Sequence, residues 1–131
     1  MIRPAETDLT APYWAAARRG VVLLQRCDEC ALVWHPPAPI CLRCRTTAWS
    51  WLPATGVATL HSWTCVVHSV HDQVRTAVPY LVGLVRLEEG PLFVCGIVGP
   101  VDDSQLVDAA PVRIVLATSA GGEQLPMGQL V

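Results

Sequence analysis

The chain contains no lysine; all nine of its basic residues are arginine. Charge of either sign is scarce, at 15% of residues against roughly 25% in an average soluble protein. Nucleic-acid binders carry a basic footprint that neutralises phosphate, and a formal net charge of −2 supplies none. Apolar residues make up 52% of the chain, yet no uninterrupted run approaches the roughly 18 that a spanning helix requires. No apolar stretch follows Arg3, so the first residues do not read as a signal peptide. These absences lead to the expectation of a soluble, cytoplasmic chain. Its 131 residues suit one domain, or one domain with a small appendage. So apolar and weakly charged a chain holds a dense core of valine, leucine and alanine or covers a large partner interface. Composition leaves both open.

What is present is a cysteine pattern. Cys27-Asp-Glu-Cys30 is followed, after residues 31–40, by Cys41-Leu-Arg-Cys44. Two residues between the cysteines of a pair let both chelate one metal from a tight turn. A spacer bearing Pro36, Pro37 and Pro39 is long enough to bring the second turn back beside the first. Two disulfides, or four buried thiols, would share the spacing, but the reading taken is one tetrahedral zinc ion. Four sulfurs leave no position for water, so such a zinc is structural, and function lies elsewhere. Four thiolates and one divalent cation together take the formal charge from −2 to −4.

Around this centre, Thr10 is a candidate helix N-cap, with Pro12 in the first turn and Gly20 as terminator. A helix this short is marginal in water, so its Tyr13 and Trp14 must bury, against the chain's own core or in a partner's groove. Residues 21–25 read as a strand leading into the first cysteine pair, and Trp49 and Trp51 alternate with Ser50 as a strand end. Residues 21–52 thus make a rubredoxin-like zinc ribbon. Its small core depends on zinc, which contributes roughly 10–16 kcal/mol in finger peptides.

From Gly56 the pattern turns to period two. Strands are expected over 57–67, 78–87, 92–98 and 112–116, with a polar loop at 69–76 and a turn at Glu88-Glu-Gly90-Pro91. On the first strand Trp63, Cys65 and Val67 would share one face, with Leu60, Thr64 and Val66 on the other. Residues 102–106 suggest a helical turn, and Gly121-Gly122 opens a flexible tail. This spacing suits a small closed barrel of the OB type. The expected architecture is mainly β: an N-terminal helical segment (1–20), the zinc ribbon (21–52), then an OB-fold domain and tail (53–131).

In this order the motifs resemble the zinc-ribbon/OB-fold proteins found beside acyl-CoA thiolases, thiolase-like aldolases and hydratases, a family long catalogued as a domain of unknown function. The resemblance runs from Tyr13-Trp14 and Leu24-Gln25-Arg26-Cys27 through Pro36-Pro37, Trp51, Gly56-Val-Ala-Thr59 and His61-Ser62-Trp63-Thr64. It continues with Pro79-Tyr80, Leu84-Val-Arg-Leu-Glu-Glu-Gly90 and Pro111-Val-Arg-Ile-Val-Leu116. Ala31 and Arg45 stand where the family often has glycine after each cysteine pair, which suggests altered turn geometry. Ala109-Ala110 replaces a usual glycine before the final strand and is expected to matter little.

The resemblance implies a non-catalytic accessory subunit in a heteromeric complex with a thiolase-like, lipid-transfer-type protein. The partner carries the nucleophile and meets the acyl-CoA, and neither nucleic acid nor membrane is implied. The enzyme would be an aldolase acting on steroid side-chain CoA thioesters, or alternatively a thiolase or acyltransferase of polyketide or isoprenoid-precursor synthesis. On this reading Tyr13 and Trp14 are candidates for the partner interface. Arg26, Arg43 and Arg45 are candidates for CoA phosphate, against the plainer role of offsetting a zinc–thiolate centre of net charge −2. Cys65 and Cys95 read as buried structural thiols. His61, His68 and His71, with Asp72, lack the spacing of a second metal or acid–base site. A rival of another class is an OB-fold module stacking single-stranded nucleic acid on Trp49, Trp51 and Trp63. Core or partner packing is the reading preferred for these tryptophans.

Overall fold

A computed structural model of the chain describes residues 5–68, 79–99, 101–119 and 122–131. The expected loop at 69–76, the start of the second barrel strand at Val78, His71, Asp72 and Gly121 lie outside these residues. The first element is the helix α1, Ala11–Arg18. Thr10 occupies its N-cap position but does not cap with its side chain. Instead Thr10 Oγ1 accepts the Thr7 N–H at 2.9 Å, while the Thr10 N–H donates to Thr7 Oγ1 at 3.2 Å. Gly20 ends the helix with φ +83°. Its N–H donates to the Ala17 carbonyl, and that of Val21 reaches back to Ala16, the paired bonds of a Schellman stop. The helix buries Tyr13, Ala16 and Ala17, a three-and-four spacing that keeps one stripe inward.

The ribbon is a three-stranded antiparallel sheet in the order β2–β1–β3. Its strands are β1 Leu23–Cys27, β2 Val33–Trp34 and β3 Trp49–Pro53. Gln25, 1% exposed, pairs across β1 with both Trp34 and Trp51. Its side-chain amide donates to the Ala38 carbonyl at 2.8 Å and accepts the Ala38 N–H at 2.7 Å. Trp49 Nε1 donates to the Pro39 carbonyl at 3.0 Å. Two side chains therefore hold the proline-bearing spacer that returns the second cysteine pair.

The remaining strands are β4 Val57–Val66, β5 Tyr80–Leu87, β6 Leu92–Ile97, β7 Pro111–Thr118 and β8 Gln124–Leu130. They close a five-stranded barrel in the order β4–β5–β6–β8–β7, with a 3₁₀ turn at Asp103–Gln105 before β7. The fold is thus mainly β, a helix and a ribbon leading into an OB barrel. The expected flexible tail is a barrel strand: β8 pairs with β7 from Val112↔Leu130 to Thr118↔Gln124 and with β6 at two positions. Pro126 and Gly128 hide it from propensity. Long-range pairing overrides that weakness, and Gly128 sits in a tight spot, with Ile97, Val112 and Cys95 side chains 3.1–3.2 Å from where a Cβ would stand.

The expected split of faces on β4 is also corrected. An irregularity between Leu60 and Ser62 resets the alternation: Leu60 pairs with Val85, Ser62 with Leu84, and Trp63 with Gly83. One extra residue on one strand moves everything after it to the opposite face. Leu60 and Trp63 therefore share a face, and Leu60 is buried while Trp63 is 40% exposed.

A single core runs through helix, ribbon and barrel. Tyr13, Val22 and Leu24 pack with Ala58, Leu60, Val85, Leu87, Phe93 and Val112. His35 lies between the Tyr13 ring, centroids 5.7 Å apart, and the Phe93 ring at 4.6 Å. A second cluster of Cys27, Trp34 and Cys41 surrounds the ribbon's cysteines.

Candidate functional site

β1 delivers Cys27 to a turn that carries Cys30, and the spacer held by Gln25 and Trp49 returns Cys41 and Cys44 opposite them. The two turns repeat one construction. Cys27 Sγ accepts the N–H groups of Glu29 and Cys30, and Cys41 Sγ those of Arg43 and Cys44. The N–H of Ala31 closes on the Cys27 carbonyl, and that of Arg45 on the Cys41 carbonyl. Ala31 and Arg45 take φ values of 65° and 63°. The turn geometry expected to change without glycine is kept; the two residues adopt the left-handed conformation at a cost of about 1 kcal/mol each. Ala109, at φ 64°, does the same before β7, where its N–H donates to the Leu60 carbonyl at 2.8 Å. That substitution too places strain where little effect was expected.

The four sulfurs lie within 4.8 Å of one another, with Cys27 Sγ 3.4 Å from Cys44 Sγ and Cys30 Sγ 3.6 Å from Cys41 Sγ. Zinc–sulfur bonds of about 2.3 Å set tetrahedral edges of about 3.8 Å. All four thiols are free, so the disulfide alternative does not apply. The ionisation pattern supports a metal as well. The Leu32 backbone N–H, joined by Arg43, brings Cys30 down to about 6. At Cys44 a backbone N–H from Thr46 favours the thiolate, but the neighbouring sulfurs, Cys27 first, outweigh it and push the thiol up to about 12. Four thiols this close resist full ionisation until a cation takes up the charge. The donor set fits a structural zinc ion held by Cys27, Cys30, Cys41 and Cys44, with no open position for a substrate.

Of the three candidate arginines, Arg43 donates to the Cys30 carbonyl at 2.8 Å. Its hydrogen bond to Cys30 and the nearby thiolates strengthen its hold on its proton. It serves the cysteine centre. The side chains of Arg26 and Arg45 are exposed and make no hydrogen bond to any described residue. Tyr13 belongs to the chain's own core: it is 6% exposed, and burial, followed by the charge of Cys95, pushes its hydroxyl up to about 12. This takes Tyr13 from the proposed partner surface and leaves Trp14, half-buried, at the edge. Cys95 is buried as expected, its thiol raised to about 11 by desolvation. Cys65 is not; it is exposed, on the far part of β4, while β7 pairs only with Val57–Thr59 at the near end. His61 and His68 are exposed as well. Trp49 packs edge-on against Trp34 and Trp51 within the ribbon, and Trp63 stands apart on β4. The three tryptophans form no common platform. No helix among the described residues is long and apolar enough to cross a membrane.

Residues 14–50 match the family described as the ChsH2 rubredoxin-like zinc ribbon domain, and residues 51–117 the ChsH2 C-terminal OB-fold domain. The chain belongs to the ChsH2 family. Over 101 residues this ChsH2-family chain is 34% identical to a probable enoyl-CoA hydratase alpha subunit of Thermomonospora curvata, covering 77% of the chain and 31% of that protein. Over 113 residues it is 28% identical to the 3-oxo-4,17-pregnadiene-20-carboxyl-CoA hydratase alpha subunit of Mycobacterium tuberculosis, covering 86% and 35%. The chain therefore spans about a third of the length of the curated relatives it matches. Among solved structures it resembles a chain of the Ltp2-ChsH2(DUF35) aldolase, with TM-score 0.84 and 30% identity over 98% of both chains. A DUF35-family protein of unknown function from Sulfolobus solfataricus shares the fold alone, at TM-score 0.66 and 15% identity over 95% and 86%.

Gln25, His35 and Trp34 were missed by sequence reasoning. Gln25 left one signal, a lone uncharged polar residue in an apolar strand. His35 left none that separates it from an exposed loop histidine.

Proposed function

We propose that this chain is a non-catalytic accessory subunit of a thiolase-like acyl-CoA enzyme, an aldolase acting on steroid side-chain CoA thioesters. The observation that carries the reading is end-to-end likeness to the ChsH2 chain of an aldolase complex, at 30% identity and TM-score 0.84. The pregnadiene-carboxyl-CoA name of the Mycobacterium tuberculosis relative favours a steroid thioester. The chain's own chemistry points the same way. Its metal centre has no open position, its buried thiol Cys95 is held protonated, and the exposed Cys65 thiol has no hydrogen bond to any described residue. Trp14 and the exposed strip of β4 supply partner-facing surface, while Arg26 and Arg45 are free to meet CoA phosphate.

A second reading, the accessory part of a hydratase, is favoured by the names of both curated relatives. One experiment separates them. The chain is co-expressed with a thiolase-like protein, and the purified complex is given a steroid side-chain CoA thioester. The expected result is a stable complex that cleaves a carbon–carbon bond, while this chain alone turns nothing over. Chelation of zinc should release the partner before any other change. A stable monomer that binds no such protein refutes the proposal, and water addition without cleavage selects the second reading.

A further inference from the structure

The four cysteines of the ribbon are alike in chemistry but not in surroundings. Cys27 and Cys41, 1% and 0% exposed, are sealed with Trp34 in the ribbon's own cluster, and Cys30 packs against it. Cys44 is the exposed member of the set and lies outside that cluster. Hydrogen bonding follows the same division. Cys27 Sγ and Cys41 Sγ each accept two backbone N–H groups. Cys30 has the Leu32 N–H and Arg43, while Cys44 takes one backbone donor, from Thr46. A hydrogen bond to a thiolate stabilises its charge and blunts it as a nucleophile. Cysteine oxidation follows thiolate character and exposure. Zinc ligation makes thiolates of all four, so exposure and hydrogen bonding choose among them. Both choose Cys44.

A partner for an oxidised Cys44 is already in place. Cys27 Sγ stands 3.4 Å away, across the two turns. A disulfide brings its sulfurs to about 2.05 Å, so each would move by about 0.7 Å. Cys30 and Cys41 form the other cross-turn pair at 3.6 Å, but one is half-buried and the other buried. We propose that Cys44 is an oxidation site with Cys27 as its resolving thiolate, and that hydrogen peroxide converts the pair to a disulfide and frees the zinc. The Cys44 thiolate attacks one peroxide oxygen and the O–O bond breaks, giving a sulfenic acid and a hydroxide. The Cys27 thiolate then attacks the Cys44 sulfur, the S–O bond breaks, and a second hydroxide leaves. Two electrons pass from the thiolates to the peroxide, and two solvent protons turn the hydroxides to water. Only Cys30 and Cys41 then remain for an ion that takes four ligands. The centre catalyses nothing, yet it responds to an oxidant. That its oxidation also detaches the catalytic partner rests on the accessory-subunit reading; the thiol chemistry does not.

The test adds hydrogen peroxide to the zinc-loaded full chain carrying Cys65→Ser, since Cys65 is the other exposed thiol. A chromophoric chelator follows the zinc, and alkylation with peptide mass mapping identifies the disulfides. The expected result is zinc release in step with a Cys27–Cys44 disulfide, reversed by dithiothreitol and added zinc. Cys44→His keeps a fourth zinc ligand and removes the thiol. With zinc content and melting temperature matching the parent, this variant should lose the fast release. If it does not hold zinc, substoichiometric iodoacetamide on the parent decides instead, and Cys44 should be the first ligand alkylated. Zinc that stays bound, or a first disulfide between any other pair, overturns the proposal. So does first alkylation at another ligand, or a zinc-loaded Cys44→His chain that releases as fast as the parent. Failure here leaves the co-expression result unaffected, so the two readings fail separately.

Discussion

Replacing Gln25 with leucine isolates one of the two side chains that hold the spacer between the cysteine pairs. Leucine is close in volume, so packing around this buried position changes little. What is lost is the pair of bonds to Ala38, at 2.7 and 2.8 Å. An orphaned buried group costs about 1–3 kcal/mol. Ala38 is half-buried, so water recovers part of that and the expected sum is about 2 kcal/mol. Because ribbon folding and zinc binding are one event, the same free energy appears as zinc affinity, about 30-fold weaker. The assay is competition for zinc against a chromophoric chelator, beside urea denaturation of the loaded chain. Gln25→Glu should be worse than leucine, since it keeps an acceptor for the Ala38 N–H, loses the donor and buries a charge. A Gln25→Leu chain whose zinc affinity stays within about threefold of the parent, under about 0.7 kcal/mol, refutes the reasoning.

Three other perturbations follow from the geometry. Ala109→Gly relieves a left-handed residue and should raise stability by about 0.5–1 kcal/mol; a urea midpoint that stays put or falls contradicts the strain. Gly128→Ala should cost about 1–3 kcal/mol by crowding Ile97, Val112 and Cys95 together, and an unchanged melting temperature would show that the barrel yields there. His35, between the Tyr13 and Phe93 rings, is held by burial down at about 4, against its usual 6.5. The unfolded chain therefore takes up this proton first, so stability present above pH 6.5 is lost as pH falls toward 4, by at most about 3 kcal/mol. His35→Phe keeps a ring in the stack and should flatten that part of the pH–stability curve; a curve unchanged in slope would place the dependence elsewhere.

The zinc ligands were open to reading because metal chemistry imposes a local spacing, and four cysteines within 18 residues display it without help from the rest of the chain. The first barrel strands were equally plain in their alternation. What stayed hidden depended on distant residues. β8, with Pro126 and Gly128, has poor strand propensity and is a strand because β7 and β6 flank it. The irregularity near His61 changed which face Leu60 shares, and no turn residue marks it. Cys65 was expected in the core for a different reason: nothing local shows that β7 pairs only with the first residues of β4. Tyr13 posed a different problem: an aromatic on a short helix must bury, but periodicity does not say against what. The backbone angle at Ala31 and Arg45 shows that a glycine position can be retained in shape after the glycine is gone, at the cost of strain.

The column of rings from Tyr13 through His35 to Phe93 ties three stretches of chain that are far apart in sequence: the leading helix, the cysteine spacer and the third barrel strand. Such a joint makes cooperativity a property of the whole chain. A barrel expressed without its first 52 residues would leave Phe93 facing solvent, and a ribbon expressed alone would do the same to His35. Heating the intact, zinc-loaded protein should therefore give one calorimetric transition, not a ribbon peak followed by a barrel peak. Metal lost at one end would then be felt as loosened packing at the other, which gives a zinc centre without chemistry a means of governing the state of the entire subunit.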